Sequence, residues 1–270
     1  MVKMRSAVIV GATGLVGAHL VQQLCENDYY ISVTALSRRE LSYNHPKLIV
    51  KKIDFDHLQE QDFDFAEVIF CCLGTTRKKA GSREKFEKVD VEYPLRVAQI
   101  AKKKGANHFI VISAMGANEK SLAYYNRVKG KLEKQLVELD FPQLSIVRPS
   151  LLVGKRDEFR LGEKLGEAVL AVLNPILVGP LKKYRSILGS QVAEAMTVIS
   201  LHKKPDKVEI YESNQLAQLK LLDVLADQEA ISSKFNWRLA PPVDEEVVFD
   251  RSKIKTVDDK PLREQDRRDK

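Results

Sequence analysis

Residues 7–17 read Ala-Val-Ile-Val-Gly-Ala-Thr-Gly-Leu-Val-Gly, and the fold is decided there. Residues 7–10 form a short strand that is apolar throughout. Gly11, Gly14 and Gly17 follow at once, and residues 14–26 then place Leu15, Ala18, Val21, Gln22 and Leu24 at helical spacing. Each glycine has a task. Gly11 permits a tight turn out of the strand, Gly14 a close approach of backbone to a ligand, and Gly17 close packing of helix on strand. The N–H groups freed at the start of the helix, together with its dipole, favour an anion. Strand, glycine turn and helix in this order are the setting a dinucleotide pyrophosphate requires. The spacing is not G-x-x-x-x-G-K-S/T, which excludes the phosphate loop of an NTPase.

Working outward, apolar runs at residues 31–36, 48–53, 68–73, 108–112 and 144–148 read as five more strands. Amphipathic stretches at 83–104 and 121–139 separate the later ones. Strands alternating with crossover helices predict an α/β fold, a doubly wound parallel sheet with helices on both faces. Beyond Pro149 the pattern mixes helices at 163–173, 191–202 and 216–225 with a short strand at 207–211. The expected organisation is a dinucleotide-binding domain over 1–231. It includes a small C-terminal, substrate-side lobe at about 151–226, and a charged, flexible tail follows at 232–270.

Hydrophobic residues make up 44% of the 270 and charged residues 30%, which excludes wholesale disorder. Lys+Arg 44 against Asp+Glu 37 leaves a net charge of +7, an excess that suits an anionic ligand. The basic residues are scattered and not interleaved with aromatics, so no nucleic-acid partner is expected. No apolar run reaches the length of a membrane span. The closest, residues 168–181, is broken by Asn174, Pro175, Gly179 and Pro180 and reads as a buried helix with its loop. The N-terminal apolar run is short and leads into glycines, so no targeting segment is expected. Three cysteines, Cys25, Cys71 and Cys72, cannot make a disulfide framework, which points to a reducing compartment, the cytoplasm. His19, His45, His57, His108 and His202 lack ligand spacing, so no metal is expected.

The second strand ends in Ser37-Arg38-Arg39. A site for NAD would place a carboxylate near here for the ribose 2′-hydroxyl. Two arginines offer planar, permanently charged forks to a 2′-phosphate and favour NADP over NAD. Asp54-Phe55 follows the third strand and suits the adenine edge. Leu73-Gly74-Thr75 follows the fourth, where the dinucleotide should cross.

Ser113 ends the fifth strand, and Tyr125-Asn-Arg-Val-Lys129 lies on the next helix. Residues i and i+4 share a face, so Tyr125 and Lys129 point together. A free phenol titrates near 10 and is a poor acid at neutral pH. The ammonium of Lys129 is expected to lower that value and let Tyr125 exchange a proton with a carbonyl or alcohol. Ser113 would hold the substrate oxygen. Tyr124, whose i+4 partner is Val128, reads as packing.

With these residues in place, the chain resembles an atypical short-chain dehydrogenase/reductase. Residues 70–81 (FCCLGTTRKKAG), Lys88-Val89-Asp90, Ser113-Ala-Met-Gly116-Ala117, residues 125–131 (YNRVKGK) and Arg148-Pro149-Ser150 resemble the Tat-interacting-protein oxidoreductase branch, over about residues 5–200. The resemblance implies a Rossmann fold that binds NADPH. By motif match it implies that Gly11, Thr13, Gly14, Leu15, Val16 and Gly17 hold the pyrophosphate. Arg38 and Arg39 fall at the 2′-phosphate, and Asp54 and Phe55 at the adenine. Leu73, Gly74 and Thr75 fall over the cofactor. Lys129 and Arg148-Pro149-Ser150-Leu151 fall on the nicotinamide side. The interval from Ser113 to Tyr125 is one residue shorter than in many classical members.

The leading expectation is an NADPH-dependent reductase of a small carbonyl, with Tyr125 as proton donor, Lys129 tuning it and Ser113 donating to the substrate. Two rivals stand beside it. One is a cofactor-sensing protein with little turnover that meets a protein partner through Lys78–Lys79, the lysines at 102–104, Lys182–Lys183 and the tail. The other is a sugar-nucleotide epimerase or dehydratase, for which the lobe after the sixth strand is short.

Overall fold

A computed structural model of the chain describes residues 4–154, 177, 179–202 and 206–221. Strands β1 (Arg5–Val10), β2 (Tyr30–Ser37), β3 (Leu48–Lys52), β4 (Val68–Cys71), β5 (His108–Ile112) and β6 (Gln143–Arg148) lie close to the expected bounds. After the short pair β7 (Leu152–Val153) and β8 (Ile187–Leu188), strand β9 (Val208–Glu212) adds a seventh member to the main sheet. The order is β3-β2-β1-β4-β5-β6-β9, parallel throughout. β7 and β8 pair separately, Leu152 opposite Ile187, a small sheet the sequence reading did not anticipate.

The central strands are apolar on both faces because both faces are covered. Ala7, Ile9, Val33, Ala35, Val68 and Phe70 join the core containing helix α1 (Leu15–Glu26). Their neighbours Val8, Val10, Leu36, Ile69 and Cys71 join a second core with Val97, Leu132 and Phe109. Successive side chains of one strand therefore serve opposite layers. The expected doubly wound architecture is the observed one.

The stretch expected as one helix over 83–104 is broken. It comprises α3 (Arg83–Glu87), a π turn at Lys88–Glu92 and α4 (Tyr93–Lys103), after a short α2 (Arg77–Ala80). Pro94 stands at the start of α4. Proline has no N–H and its ring crowds the carbonyl four residues back, here that of Asp90. The wider turn accommodates this and carries Asp90 into the interior, where it is 0% exposed. Helix α5 (Tyr124–Glu138), α6 (Gly189–Leu201) and the single turn α7 (Ser213–Leu216) complete the α-helices among the described residues. The helix expected at 163–173, most of that at 216–225 and the tail at 232–270 lie outside the described residues.

His108, at the start of β5, is 4% exposed, with its Nε2 2.9 Å from Ser145 Oγ. Burial, then the charge of Arg5, pushes its pKa from 6.5 down to about 3. The folded ring stays neutral, whereas the unfolded ring takes a proton once the pH falls below 6.5. This contribution is intact above 6.5 and lost as the pH falls toward 3. A His108→Gln variant should therefore lose less stability than the parent between about pH 7 and pH 5, read by urea unfolding at each pH.

Candidate functional site

β1 lies between β2 and β4, the point at which the strand order reverses and a crevice opens at the carboxyl ends. Gly11 turns there with φ 82°. A Cβ on Gly11 would lie 2.5 Å from the carbonyl oxygen of Cys72, just past the end of β4. One on Gly17 would lie 2.2 Å from the Gly11 oxygen, so the first turn of α1 rests directly on the loop. Gly14 is the N-cap of α1, and no side chain satisfies the N–H groups of that first turn. Thr13 and Gly14 are exposed, whereas Val16 is buried and offers only its backbone. The donors and the space fit an anionic pyrophosphate.

Arg38 and Arg39 are exposed at the end of β2, and the Arg39 N–H donates to Ser37 Oγ at 3.2 Å. Asp54 is an exposed N-cap: its Oδ1 accepts from the Asp56 N–H at 3.0 Å, and Oδ2 lies 2.8 Å from His57 Nδ1. These bonds hold its carboxyl below the ordinary range. Phe55 is 6% exposed, stacked on Tyr93 at 5.5 Å.

Lys129, on α5, is 2% exposed, and its Nζ lies 2.8 Å from Asp90 Oδ1. The other Asp90 oxygen accepts from the Thr75 N–H at 2.9 Å. A Cβ added to Gly74 would lie 3.6 Å from Asp90 and 3.8 Å from Lys129, so the loop after β4 covers this pair. Asp90 lies within the Lys88-Val89-Asp90 motif, which does not by itself disclose this pairing. The signal was present: an aspartate between Val89 and Val91, four residues before a proline. Ser113 is 3% exposed, and among the described residues its Oγ has no hydrogen-bond partner. A buried hydroxyl left unpaired is costly, and a bound ligand can satisfy it.

Tyr125 is 40% exposed, with its ring 5.9 Å from that of Phe86. The expected lowering of its pKa is not the net result. Burial raises it, Lys129 lowers it and Asp90 raises it, and the balance is upward. Asp90 offsets the ammonium that was expected to act alone. For Lys129, burial pulls downward, but Asp90 and Tyr125 together push its pKa above the ordinary value. Tyr124 is held elsewhere, its hydroxyl donating to Glu87 Oε1 at 3.1 Å.

The Arg148 side chain is held by two carboxylates of the protein. Its Nε donates to Glu133 at 2.9 Å, and its Nη1 to Glu212 at 3.2 Å. The guanidinium ties α5 to β6 and β9, so it is committed within the protein. Pro149 is buried, and its carbonyl accepts from the Met115 N–H at 3.2 Å. Ser150 Oγ lies 2.8 Å from Ser213 Oγ, and Leu151 is 56% exposed. Burial pushes the Cys25 thiol up to about 11 and Cys71 to about 12, which makes both poor nucleophiles near neutrality. Among the described residues there is no cluster suited to a metal, and no helix is long and apolar enough to cross a membrane.

A glycine turn at the switch point of a parallel sheet defines a Rossmann-type nucleotide-binding protein. The NAD(P)H-binding family model matches residues 11–162, and the chain belongs to that family. It is 38% identical to protein HTATIP2 of Rattus norvegicus over 166 residues, 60% of this chain and 68% of that protein. This is the Tat-interacting-protein resemblance read in the motifs. It is 30% identical to the mitochondrial protein FMP52 of Eremothecium gossypii over 220 residues, 79% of this chain and 96% of that one. Among solved structures, MoeE5 in complex with UDP-glucuronic acid and NAD superposes with a TM-score of 0.60 at 13% identity, covering 84% of this chain and 82% of that one. That likeness is one of fold.

Proposed function

We propose that the chain is an NADPH-dependent oxidoreductase that reduces a small carbonyl compound. One observation carries the reading: the buried Lys129–Asp90 pair one helical turn from the Tyr125 phenol, with the unpartnered Ser113 hydroxyl at the end of β5. When bound, the nicotinamide would supply the hydride for the carbonyl carbon, and the protein must supply the proton that completes the alcohol. Tyr125 gives that proton, and Lys129 stabilises the phenolate left behind. The upward pull on Tyr125 keeps it protonated through neutrality. Reduction is then flat across neutral pH and falls only as the pH rises toward the raised phenol value. Ser113 donates to the substrate oxygen. Arg38 and Arg39 select the 2′-phosphate, Asp54 and the Phe55 backbone meet the adenine, and residues 73–75 cover the cofactor. From the last expected segment only Ser150, Leu151 and backbone remain to meet the nicotinamide. The protein acts in a reducing compartment, the cytoplasm. The mitochondrial label in the names of the yeast relatives makes that organelle the competing result of fractionation.

The test joins fluorescence titration of NADPH and NADH with steady-state NADPH oxidation over a carbonyl panel. NADPH should bind at least about tenfold more tightly than NADH, and Arg38→Ala/Arg39→Ala should remove the preference. Tyr125→Phe should lower kcat by about 10²–10⁴ while retaining NADPH. Preference for NADH, or undiminished turnover by Tyr125→Phe, overturns the reading. Conversion of a sugar nucleotide without net NADPH oxidation would establish the epimerase rival.

A further inference from the structure

The loop that covers Asp90 runs on into Thr-Arg-Lys-Lys-Ala-Gly-Ser-Arg (residues 76–83), with four cations before the first acid, Glu84. This segment forms a recess of about 470 Å³ lined by Arg77, Lys78, Gly81, Ser82 and Arg83. Beside it, three guanidiniums converge on one ring. Arg83, Arg127 and Arg77 lie 5.1, 5.6 and 5.7 Å from the centroid of Tyr124. The π face attracts each of them, but it does not cancel their mutual repulsion.

The nearby acids are engaged elsewhere. Glu87 accepts from the Tyr124 hydroxyl at 3.1 Å and pairs with Lys131 at 3.2 Å. Glu84 is held by its own backbone N–H and by Ser82, with Arg83 acting on it through its charge. Among the described residues no carboxylate pairs with Arg77, Lys78 or Arg83. Arg127 donates to the Ser121 and Leu122 carbonyls at 2.7 and 3.3 Å, which leaves the charges of Arg77, Lys78 and Arg83 for something from outside.

Its position says what that is. Tyr124 precedes the proposed proton donor directly, and Phe86 packs against both rings at 5.9 Å. The recess follows immediately on Thr75, whose N–H is bound to the partner of Lys129. With Phe86 in contact with both, the centroids of the Tyr124 and Tyr125 rings are no more than about 12 Å apart, a span that a short substrate chain would bridge from the phenol to these cations.

We infer that the recess binds the anionic group, a carboxylate or a phosphate, of the carbonyl substrate, with Arg77 and Arg83 as its forks and Lys78 as a further charge. Arginine forks match both groups, because each presents two neighbouring acceptor oxygens to a pair of guanidinium N–H bonds. The substrate class is therefore an oxo acid or a phosphorylated carbonyl compound. The carbonyl part of this inference rests on the reduction proposed above, whereas the anion site is testable without turnover.

Two measurements separate them. In the first, succinate and inorganic phosphate are titrated calorimetrically into the full chain saturated with NADPH. At least one should bind, and the one that does identifies the anion. Arg77→Gln/Arg83→Gln should weaken it about tenfold or more, with a thermal midpoint near the parent's reporting an intact fold. In the second, NADPH oxidation is compared for 4-oxobutanoate against butanal and for glyceraldehyde 3-phosphate against glyceraldehyde. The charged member of one pair should have the higher kcat/KM by about tenfold, and the double variant should erase that ratio. Absence of binding by both anions overturns the site, and equal kcat/KM within both pairs overturns its role in recognising the carbonyl substrate. A loss in the variant that appears instead in NADPH affinity also overturns the site. Anion binding that depends on the arginines, with no carbonyl turned over, upholds the site and defeats the reductase reading.

Discussion

An Asp90→Asn substitution should destabilise the fold by about 3–5 kcal/mol, the range for removing one partner of a buried ion pair. Lys129 is 2% exposed, and Asp90 is the carboxylate at its Nζ. The amide retains the shape and can still accept from the Thr75 N–H. It cannot balance the ammonium, which must stay charged in a medium that penalises charge or give up its proton. The pH dependence identifies the cause. In the parent the Lys129 pKa is raised above 10.5, so its contribution is full below that value and lost as the pH rises through the folded value. In the variant burial prevails and the folded pKa drops, so the penalty is greatest at low pH and shrinks as the pH rises toward about 10. Urea unfolding of parent and variant between about pH 7 and pH 10 reads the difference directly. Adding Lys129→Met should restore much of the stability, because no uncompensated charge is then left buried. The double variant should still lack NADPH oxidation. A penalty that is constant with pH would show that the effect is one of packing.

The same pair marks the limit of what the sequence discloses. The glycine turn was legible because Gly11 and Gly17 act over short distances, on residues a few positions away or at the end of the neighbouring strand. The strands were legible because residues covered on both faces read as unbroken apolar runs. The Asp90–Lys129 contact joins two helices separated by β5, and nothing in the local pattern around Lys129 announces its partner. Pro94 announced the break that buries Asp90, but only a reading that followed the carbonyl four residues back would have found it. Tyr125 shows the consequence. Its i+4 lysine was visible, the burial and the opposing carboxylate were not, and the expected direction of its pKa was therefore reversed.

Arg148 and Phe55 make the complementary point. Both occupy positions that a motif match assigns to the cofactor, and both side chains make contacts with residues distant in sequence that the motif does not announce. Arg148 is held by Glu133 from α5 and Glu212 from β9. Phe55 is stacked on Tyr93 from α4. A motif fixes where the backbone passes, and the packing decides which part of a residue faces the ligand.

The second large effect is expected at Gly11. A Gly11→Ala chain should lose about 2–4 kcal/mol of stability and most of its NADPH affinity, from two independent costs. With φ at 82°, an L side chain carries a backbone penalty of about 1–2 kcal/mol. The added Cβ would also lie 2.5 Å from the Cys72 oxygen and 2.9 Å from the Leu73 nitrogen, both backbone atoms without freedom to yield. Relief requires β1 and the chain beyond β4 to part at the crevice where the pyrophosphate would sit. Gly81 separates the two costs. Its φ is 80°, and an added Cβ there would meet nothing within 4 Å. Gly81→Ala should therefore show the backbone penalty alone, about 1–2 kcal/mol, with NADPH affinity unchanged. Thermal unfolding and fluorescence titration of the two variants side by side provide the comparison. Equal losses of stability with NADPH bound normally by both would mean that contact with Cys72 does not constrain the turn, and the crevice would then have to lie elsewhere along the sheet.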